Sequence, residues 1–449
     1  MRSRSGKGFL GGRETIDNLQ LGSNLDAARF TQQFARRIMK SVVNPFIYWA
    51  ASTILTAAAV VPVHGAEPAV SSELSAAADG NNAFALDLYG RLAAGKGNVF
   101  FSPYSISTCL AMTYAGARGE TENQMAKILH VSTNQDGWHS SLGKLQQQLN
   151  DIQTNNNVEL TIANGLWAQQ DHPFVPAFVH LAERDYDAKL RQVNFRNSGP
   201  ACREINDWAA EKTKGRIRDP VAPGMLNASS DLVLVNAIYF YGNWVRAFDP
   251  YTRKAPFYLA DARVIQAPLM RNLSARVSYA EFPDLQILEM PYRGYSLSMV
   301  VLLPKGPNGF KKLEGTINST NLAAWIDAER LQDVDVFLPK FKLEATYSLT
   351  PTLSAMGMCD AFDPNKADLS GIDGFRDLFV SAVEHRAYLD VNEEGTEAAA
   401  ATAVSLMHGL DDRKTLPLFL ADHPFVFLIR QIKSGAILFL GRLTEPAMG

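Results

Sequence analysis

Residues 392–410 read NEEGTEAAAATAVSLMHGL, and the fold turns on whether this stretch is a helix, a linker or a strand held in reserve. Glu393 and Glu394 keep its start in water. Gly395, without a Cβ, can serve as a pivot. The residues that follow, Thr396 to Ala403, are all small apart from Glu397. In an extended chain alternate side chains share a face. Thr396, Ala398, Ala400 and Thr402 then fall on one face, with Glu397, Ala399, Ala401 and Ala403 on the other. A strand that slides between existing strands over a packed core needs a small inward face of that kind. Alanine also has the highest helix propensity, so by itself the stretch fits a surface helix or a linker equally well.

The chain around it has 449 residues, 47% of them hydrophobic and 20% charged, the composition of a globular protein. Cys109, Cys202 and Cys359 make no disulfide framework, contain no CxxC and read as buried small apolar residues. Phe46 to Val63, FIYWAASTILTAAAVVPV, is apolar and uncharged, follows Arg36, Arg37 and Lys40, and runs into His64-Gly65-Ala66. That is the pattern of a secretory signal cleaved near Gly65 or Ala66. A membrane anchor is the alternative, since the run is about long enough to span. A signal starting at Met39 would have ordinary length, which makes residues 1–38 an untranslated upstream segment, 39–66 the signal, 67–80 a flexible leader and 81–449 the folded domain. Removing residues 1–66 takes away eight basic and three acidic residues and moves the net charge from −3 to −8. An acidic secreted body is a poor polyanion binder, so nucleic acid is not expected as a partner.

Along the chain, Phe84, Leu88 and Leu92 predict a helix capped by Asn81 or Asn82. Asn98-Val-Phe-Phe reads as a short strand, and Ser102-Pro103 as the cap and first residue of a buried helix. Thr121 and Gln124 have capping-box spacing ahead of Met125 and Ile128. A helix over Leu142–Ile152 carries Lys144 as its sole cation. Strands are expected at Val158–Ala168, Leu297–Leu303 and Val334–Leu338, and a fully buried one at Leu232–Phe240 (LVLVNAIYF). Lys433-Ser-Gly joins Phe425–Arg430 to Ala436–Leu443 as a hairpin. Helices dominate early and strands late, without βαβ alternation, so the class is α+β.

Enzyme chemistry finds no foothold. There is no GxSxG, P-loop or HExxH, and the Gly6-x-Gly8-x-x-Gly11 pattern follows no strand. The eight histidines are scattered, no pair has metal-ligand spacing, and His172 between Asp171 and Pro173 reads as a turn residue. No catalytic residue, metal or cofactor is expected.

Several segments together resemble the serpin family, from about Asn81 to the C-terminus. They are NVFFSPYSISTCLAMTYAGARGETENQM (98–125), ANGLW (163–167), LVNAIYFYGNW (234–244), FLPKF (337–341), ADLSG (367–371), HPFVFLIR (423–430) and LFLGRLTEP (438–446), in that order. VNEEGTEAAAATAV (391–404) resembles the reactive-loop hinge of inhibitory members. The resemblance implies an α+β serpin fold of three β-sheets and about nine α-helices, with an exposed reactive loop over about 393–420. It implies a serine protease inhibitor acting as a suicide substrate whose cleaved loop enters the central sheet; with the signal pattern at 46–63, the expected location is secreted, extracellular or, in a bacterium, periplasmic. A non-inhibitory serpin, a carrier, chaperone or storage protein, is the alternative. The hinge would comprise Glu393, Gly395, Thr396, Ala398, Ala400 and Thr402. Ser102, Ser105, Asn236 and His385 align with the family's shutter, where the sheet opens, and Trp244 with its breach.

In inhibitory members the scissile bond follows the residue fourteen positions after the hinge glycine, which here gives Gly409–Leu410. Cleavage after Gly409 suits an elastase-like protease and cleavage after Leu410 a chymotrypsin-like one. Arg413 offers a trypsin-like site at the cost of a longer insert, with Asp411 and Asp412 beside it as a deterrent. The expected partner is thus a target serine protease, elastase- or chymotrypsin-like first, with subtilisin-type and cysteine proteases also admitted. The 142–152 helix lacks the basic face of a heparin site, and a monomer is expected.

Overall fold

The strand predicted to be fully buried is buried: β4 (Leu232–Asn243) has no exposed residue from Leu232 to Phe240. It is an inner strand of a six-stranded sheet and pairs antiparallel with β2 (Val158–Gln169) from Val158↔Gly242 to Ala168↔Leu232. Short β3 (Leu190–Val193) lies parallel to β2 at one edge. On the other side β11 (Val380–Val391) runs parallel to β4, from Val380↔Leu232 to Tyr388↔Tyr239, and β10 (Phe341–Ser348) closes that edge antiparallel to β11. Parallel pairing between two inner strands leaves a seam down the middle of the sheet. At one end a two-residue strand, β12 (Gly395–Thr396), wedges into it and pairs with both β11 and β4.

This computed structural model describes residues 72–154, 158–186, 188, 190–396 and 416–446. The expected signal and upstream segments, and Ala398, Ala400, Thr402, Gly409, Leu410 and Arg413, lie outside the described residues.

The other strands form a nine-strand assembly branched at β6 (Val264–Glu281). One edge of β6 pairs with β9 (Arg330–Pro339) along its length, with a register shift between Asn272 and Ala275. Its other edge takes β5 (Arg253–Tyr258) in the first half and β7 (Leu285–Pro291) in the second. The β7 branch continues through β8 (Leu297–Pro304), β14 (Phe425–Gln431) and β15 (Ile437–Leu443) to β1 (Val99–Phe101), and β13 (Leu418–Leu420) lies parallel to β9. Two sub-sheets joined at β6–β9, with the six-stranded sheet, make the three sheets expected. β14 and β15 form the expected hairpin.

Ten α-helices occur among the described residues. α1 (Ser72–Leu92) begins well before Asn81, correcting both the leader and the cap. Leu74, Ala77 and Ala78 extend the apolar stripe of Phe84 and Leu88 into the core, so the pattern runs further back than the first large side chains suggested. Asn81 is itself buried: its Nδ2 donates to the Ile437 carbonyl at 2.9 Å and its Oδ1 accepts from Ser107 Oγ at 2.9 Å. α2 (Pro103–Gly116) is buried throughout and starts as predicted, with Ser102 Oγ accepting the Ser105 N–H at 3.1 Å and Pro103 in first place. α3 (Gly119–Ile128) starts two residues before Thr121, so there is no capping box. Thr121 Oγ1 instead accepts the Asp368 N–H, and Gln124 Oε1 those of Cys359 and Asp360. α4 (Gln135–Thr154), α5 (Pro176–Tyr186), α6 (Ser198–Lys212), α7 (Phe310–Thr316), α8 (Ser319–Asp327), α9 (Thr350–Met356) and α10 (Ser370–Asp373) complete the set. The three thiols are unpaired. Cys109 is buried, and burial pushes its thiol up to about 12; Cys202 is half-buried and Cys359 is exposed, so only Cys109 is the core residue expected of all three.

Candidate functional site

Two polar clusters lie on the seam between β4 and β11, one midway and one at an end. Midway along it Asn236 and His385 are directly paired residues. The Ser102 N–H donates to His385 Nε2 at 3.1 Å, which leaves the ring proton on Nδ1, donated to Asn236 Oδ1. Asn236 Nδ2 in turn faces Ser105 Oγ and Asn164 Oδ1, and Ser105 Oγ donates to Asn164 Oδ1 at 3.1 Å. Ser102 Oγ donates to the Leu438 carbonyl at 2.6 Å. One connected network therefore ties β2, β4 and β11 to the start of α2 and to β15. Burial pushes the His385 imidazole down to about 3, so the ring is neutral near pH 7 and can accept at Nε2. The four expected shutter residues are brought together. Asn164, inside ANGLW, is a fifth member that the motif contained without being singled out; like Asn236 it is an amide in the middle of an apolar strand.

At the residue before His385 the sheet holds an unusual group. The group is the buried Glu384 carboxyl itself: among the described residues the Ser348 hydroxyl is the one side chain near enough to favour its charged form, and burial outweighs that and pushes it up to about 7. A buried carboxylate is tolerated mainly in its neutral form.

At the end of the seam the chain turns from β11 into β12. Asn392 Oδ1 accepts the N–H groups of Glu394 at 3.1 Å and Gly395 at 3.3 Å, and its own N–H reaches the Gly395 carbonyl at 2.8 Å. Trp244 grips the same turn with its indole N–H on the Asn392 carbonyl at 3.1 Å and its backbone N–H on Glu394 at 2.9 Å. Its ring stacks on Tyr292 with centroids 4.5 Å apart, and Tyr292 Oη lies 3.0 Å from Thr396 Oγ1. Thr396 is thus buried on the inward face expected of it.

Glu393 does not stand in water as expected. Lys340 Nζ reaches its Oε2 at 2.9 Å and Thr252 Oγ1 donates to Oε1. Burial pushes the carboxyl up, but the bonds from Thr252 and Lys340 outweigh it and hold Glu393 below the usual range. Gly395 also meets a steric demand besides the pivot role expected of it. A Cβ there would lie 2.1 Å from the Gly242 carbonyl oxygen and 2.6 Å from Asn243 Cα, so glycine is required by close approach between backbones.

His172 is the site residue the sequence passed over. It follows a turn whose Asp171 has φ 67°, yet its Nε2 lies 2.5 Å from Asp373 Oδ2, 201 residues away, and both face Asp377. Spacing along the chain carries no signal for a cluster assembled from that far apart.

Comparison with known proteins agrees with this geometry. The family model for serpins, described as serine protease inhibitors, matches residues 79–446. The chain is 40% identical over 381 residues to a human leukocyte elastase inhibitor, covering 82% of this chain and 98% of that protein. It is 39% identical to human serpin B8, covering 82% of this chain and 99% of that one. Among solved structures, a serpin of the insect Tenebrio molitor described as highly specific superposes with TM-score 0.75 at 30% identity, covering 85% of this chain and all of that one. Uncleaved ovalbumin superposes with TM-score 0.74 at 30% identity, covering 83% of this chain and all of that one.

Proposed function

This chain belongs to the serpin family, and we propose that it is an inhibitor of serine proteases that works as a suicide substrate. The observation that carries this reading is the wedge: Gly395 and Thr396 already occupy the end of the β4–β11 seam, paired on both edges. The chain beyond Thr396 offers Ala398, Ala400 and Thr402 in the same alternation. After cleavage the free strand would extend the wedge along the seam, between two strands that now pair with each other. An added inner strand gains ~10–15 backbone hydrogen bonds at a net ~0.5–1.5 kcal/mol each. The total, on the order of ten kcal/mol, rivals the whole stability of an ordinary domain and is enough to drag an acylated protease with it. The Asn236–His385 network is then the catch to be undone and re-formed around the insert.

Relatives named as leukocyte elastase inhibitors support an elastase-like target, which suits cleavage at Gly409–Leu410. A Leu410 site for a chymotrypsin-like protease and the Arg413 site are the competing bonds. The apolar run at 46–63 precedes the family match at 79 and supports secretion with residues 39–66 as the signal.

The test is incubation of the mature protein with elastase, chymotrypsin, subtilisin and trypsin, followed by denaturing electrophoresis and mass spectrometry of the released peptide. The expected result is a complex with elastase that survives SDS and a peptide beginning at Leu410. Cleavage by the whole panel without any such complex would overturn the inhibitory reading in favour of a carrier or storage role.

A further inference from the structure

We propose that His172, Asp373 and Asp377 form a site for a divalent transition-metal ion, best matched by Zn²⁺, at the opposite end of the seam from the wedge. One imidazole nitrogen and a carboxylate oxygen from each aspartate lie within 4.8 Å of one another. His172 and Asp373 are the inner pair, 2.5 Å apart, with side chains 18% and 0% exposed. Asp377 supplies the solvent side. Among the described residues no Lys or Arg pairs with Asp373 or Asp377, and the adjacent Arg376 is turned to Asp368 at 3.1 Å. Asp231, the residue before β4, adds a third carboxylate at this end of the sheet.

The donor set decides the class of ion. An imidazole with two carboxylates is a nitrogen–oxygen set suited to Zn²⁺ with a water in the fourth position, whereas Mg²⁺ and Ca²⁺ prefer all-oxygen sites. Ligands about 2.1 Å from a tetrahedral ion stand about 3.4 Å apart. The His172–Asp373 pair would thus open by roughly 1 Å and release its shared proton. Asp377 would swing in, a small rotation for an exposed side chain.

The position gives the ion a consequence. His172 follows β2, which is laddered to β4, and Gln192 of β3 donates to the His172 carbonyl. Asp377 leads into β11, whose Val380 pairs with Leu232 of β4. A bound ion would tie the β2–β4 side of the seam to the β11 side where an inserted strand must emerge. This latch role rests on the loop-insertion reading above; the binding site does not. The ion would stabilise the uncleaved form and slow insertion.

Zn²⁺ titrated calorimetrically into the purified full mature chain, with Co²⁺ followed by its visible absorption, tests both parts. One equivalent of Zn²⁺ is expected to bind, with His172→Ala and Asp377→Asn each weakening affinity by about tenfold or more and exposed Asp136→Asn leaving it unchanged. Saturating Zn²⁺ should raise the melting temperature of the uncleaved protein and not of the loop-cleaved protein. Failure to bind one equivalent, or binding undiminished by both His172→Ala and Asp377→Asn, overturns the site. Zn²⁺ binding with an equal shift in both forms overturns the latch. If the site binds and no protease complex forms, the metal site stands and the inhibitory reading falls.

Discussion

Asn236 of β4 and His385 of β11 are register partners on two parallel strands, and the His385 Nδ1–H bonds the Asn236 side-chain oxygen across the line where those strands meet. The pair is buried and its outer atoms are satisfied by Ser102, Ser105 and Asn164. A buried network of this kind, fully satisfied, rigidifies the strands it joins.

Replacing Asn236 with Ala is expected to destabilise the uncleaved protein by about 1–3 kcal/mol, because it leaves the buried His385 Nδ1–H without an acceptor and removes the amide that donates to Ser105 Oγ and Asn164 Oδ1. Urea unfolding of the uncleaved protein measures this. A loss confined to below about 0.5 kcal/mol would mean that the network does not hold the sheet together.

On the loop-insertion reading proposed above, Thr396→Arg is expected to turn the protein from a trap into a plain substrate. Thr396 is fully buried against Tyr292, and a guanidinium in that place would be an unpaired buried charge. Protease should still cut the loop, while the SDS-stable complex disappears. Gly395→Ala acts earlier, since its Cβ meets Gly242 and Asn243 backbone. It should expel β12 from the seam and speed amide exchange at Thr396 and Asn243 in the uncleaved protein.

The Lys340–Glu393 bond should matter for hinge mobility more than for global stability. Lys340 is 45% exposed, and ion pairs that open to solvent contribute about 0–1 kcal/mol. Lys340→Ala is therefore expected to shift the unfolding midpoint little. The amides of Glu393 to Thr396 should exchange faster, and self-association on mild heating should quicken, because a loosened loop start leaves the seam open to another chain's strand. Size-exclusion chromatography after incubation follows the second effect.

Much of this was legible from residue types. The run LVLVNAIYF announced an inner strand, Ser102-Pro103 a helix start, and the alternation from Thr396 an inward face. Three features were not. The start of α1 was hidden because Ala77 and Ala78 fill the core without looking like a hydrophobic stripe. Gly395 invited a conformational explanation, whereas its constraint is the Gly242 carbonyl, a contact between residues distant in sequence. The partners of Glu393 and His172, namely Thr252, Lys340, Asp373 and Asp377, lie between 53 and 205 residues away and follow no local period. Local residue patterns mark the faces of helices and strands but carry no signal for polar groups that meet across the fold.

Adjacent residues on β11 should give the protein pH dependences of opposite sign. Glu384 is raised from 4.5 to about 7 by burial, so folding favours its protonated form. Its contribution is fully present below pH 4.5 and is lost as pH rises through 7. His385 is lowered from 6.5 to about 3 by burial, so folding favours its neutral form. Its contribution is fully present above pH 6.5 and is lost as pH falls towards 3. Glu384→Gln removes the first dependence without adding a charge. Relative to the parent it should gain most in melting temperature at pH 8, with the gain shrinking steadily to pH 5. His385→Gln should show the reverse trend: its deficit, from the broken network, should be largest near pH 7 and narrow towards pH 4, where the parent itself is penalised for charging the buried ring. Melting curves of the three proteins from pH 4 to 8 separate the two groups. Parallel curves for Glu384→Gln and the parent would show that the Glu384 carboxylate ionises in the sheet at no cost.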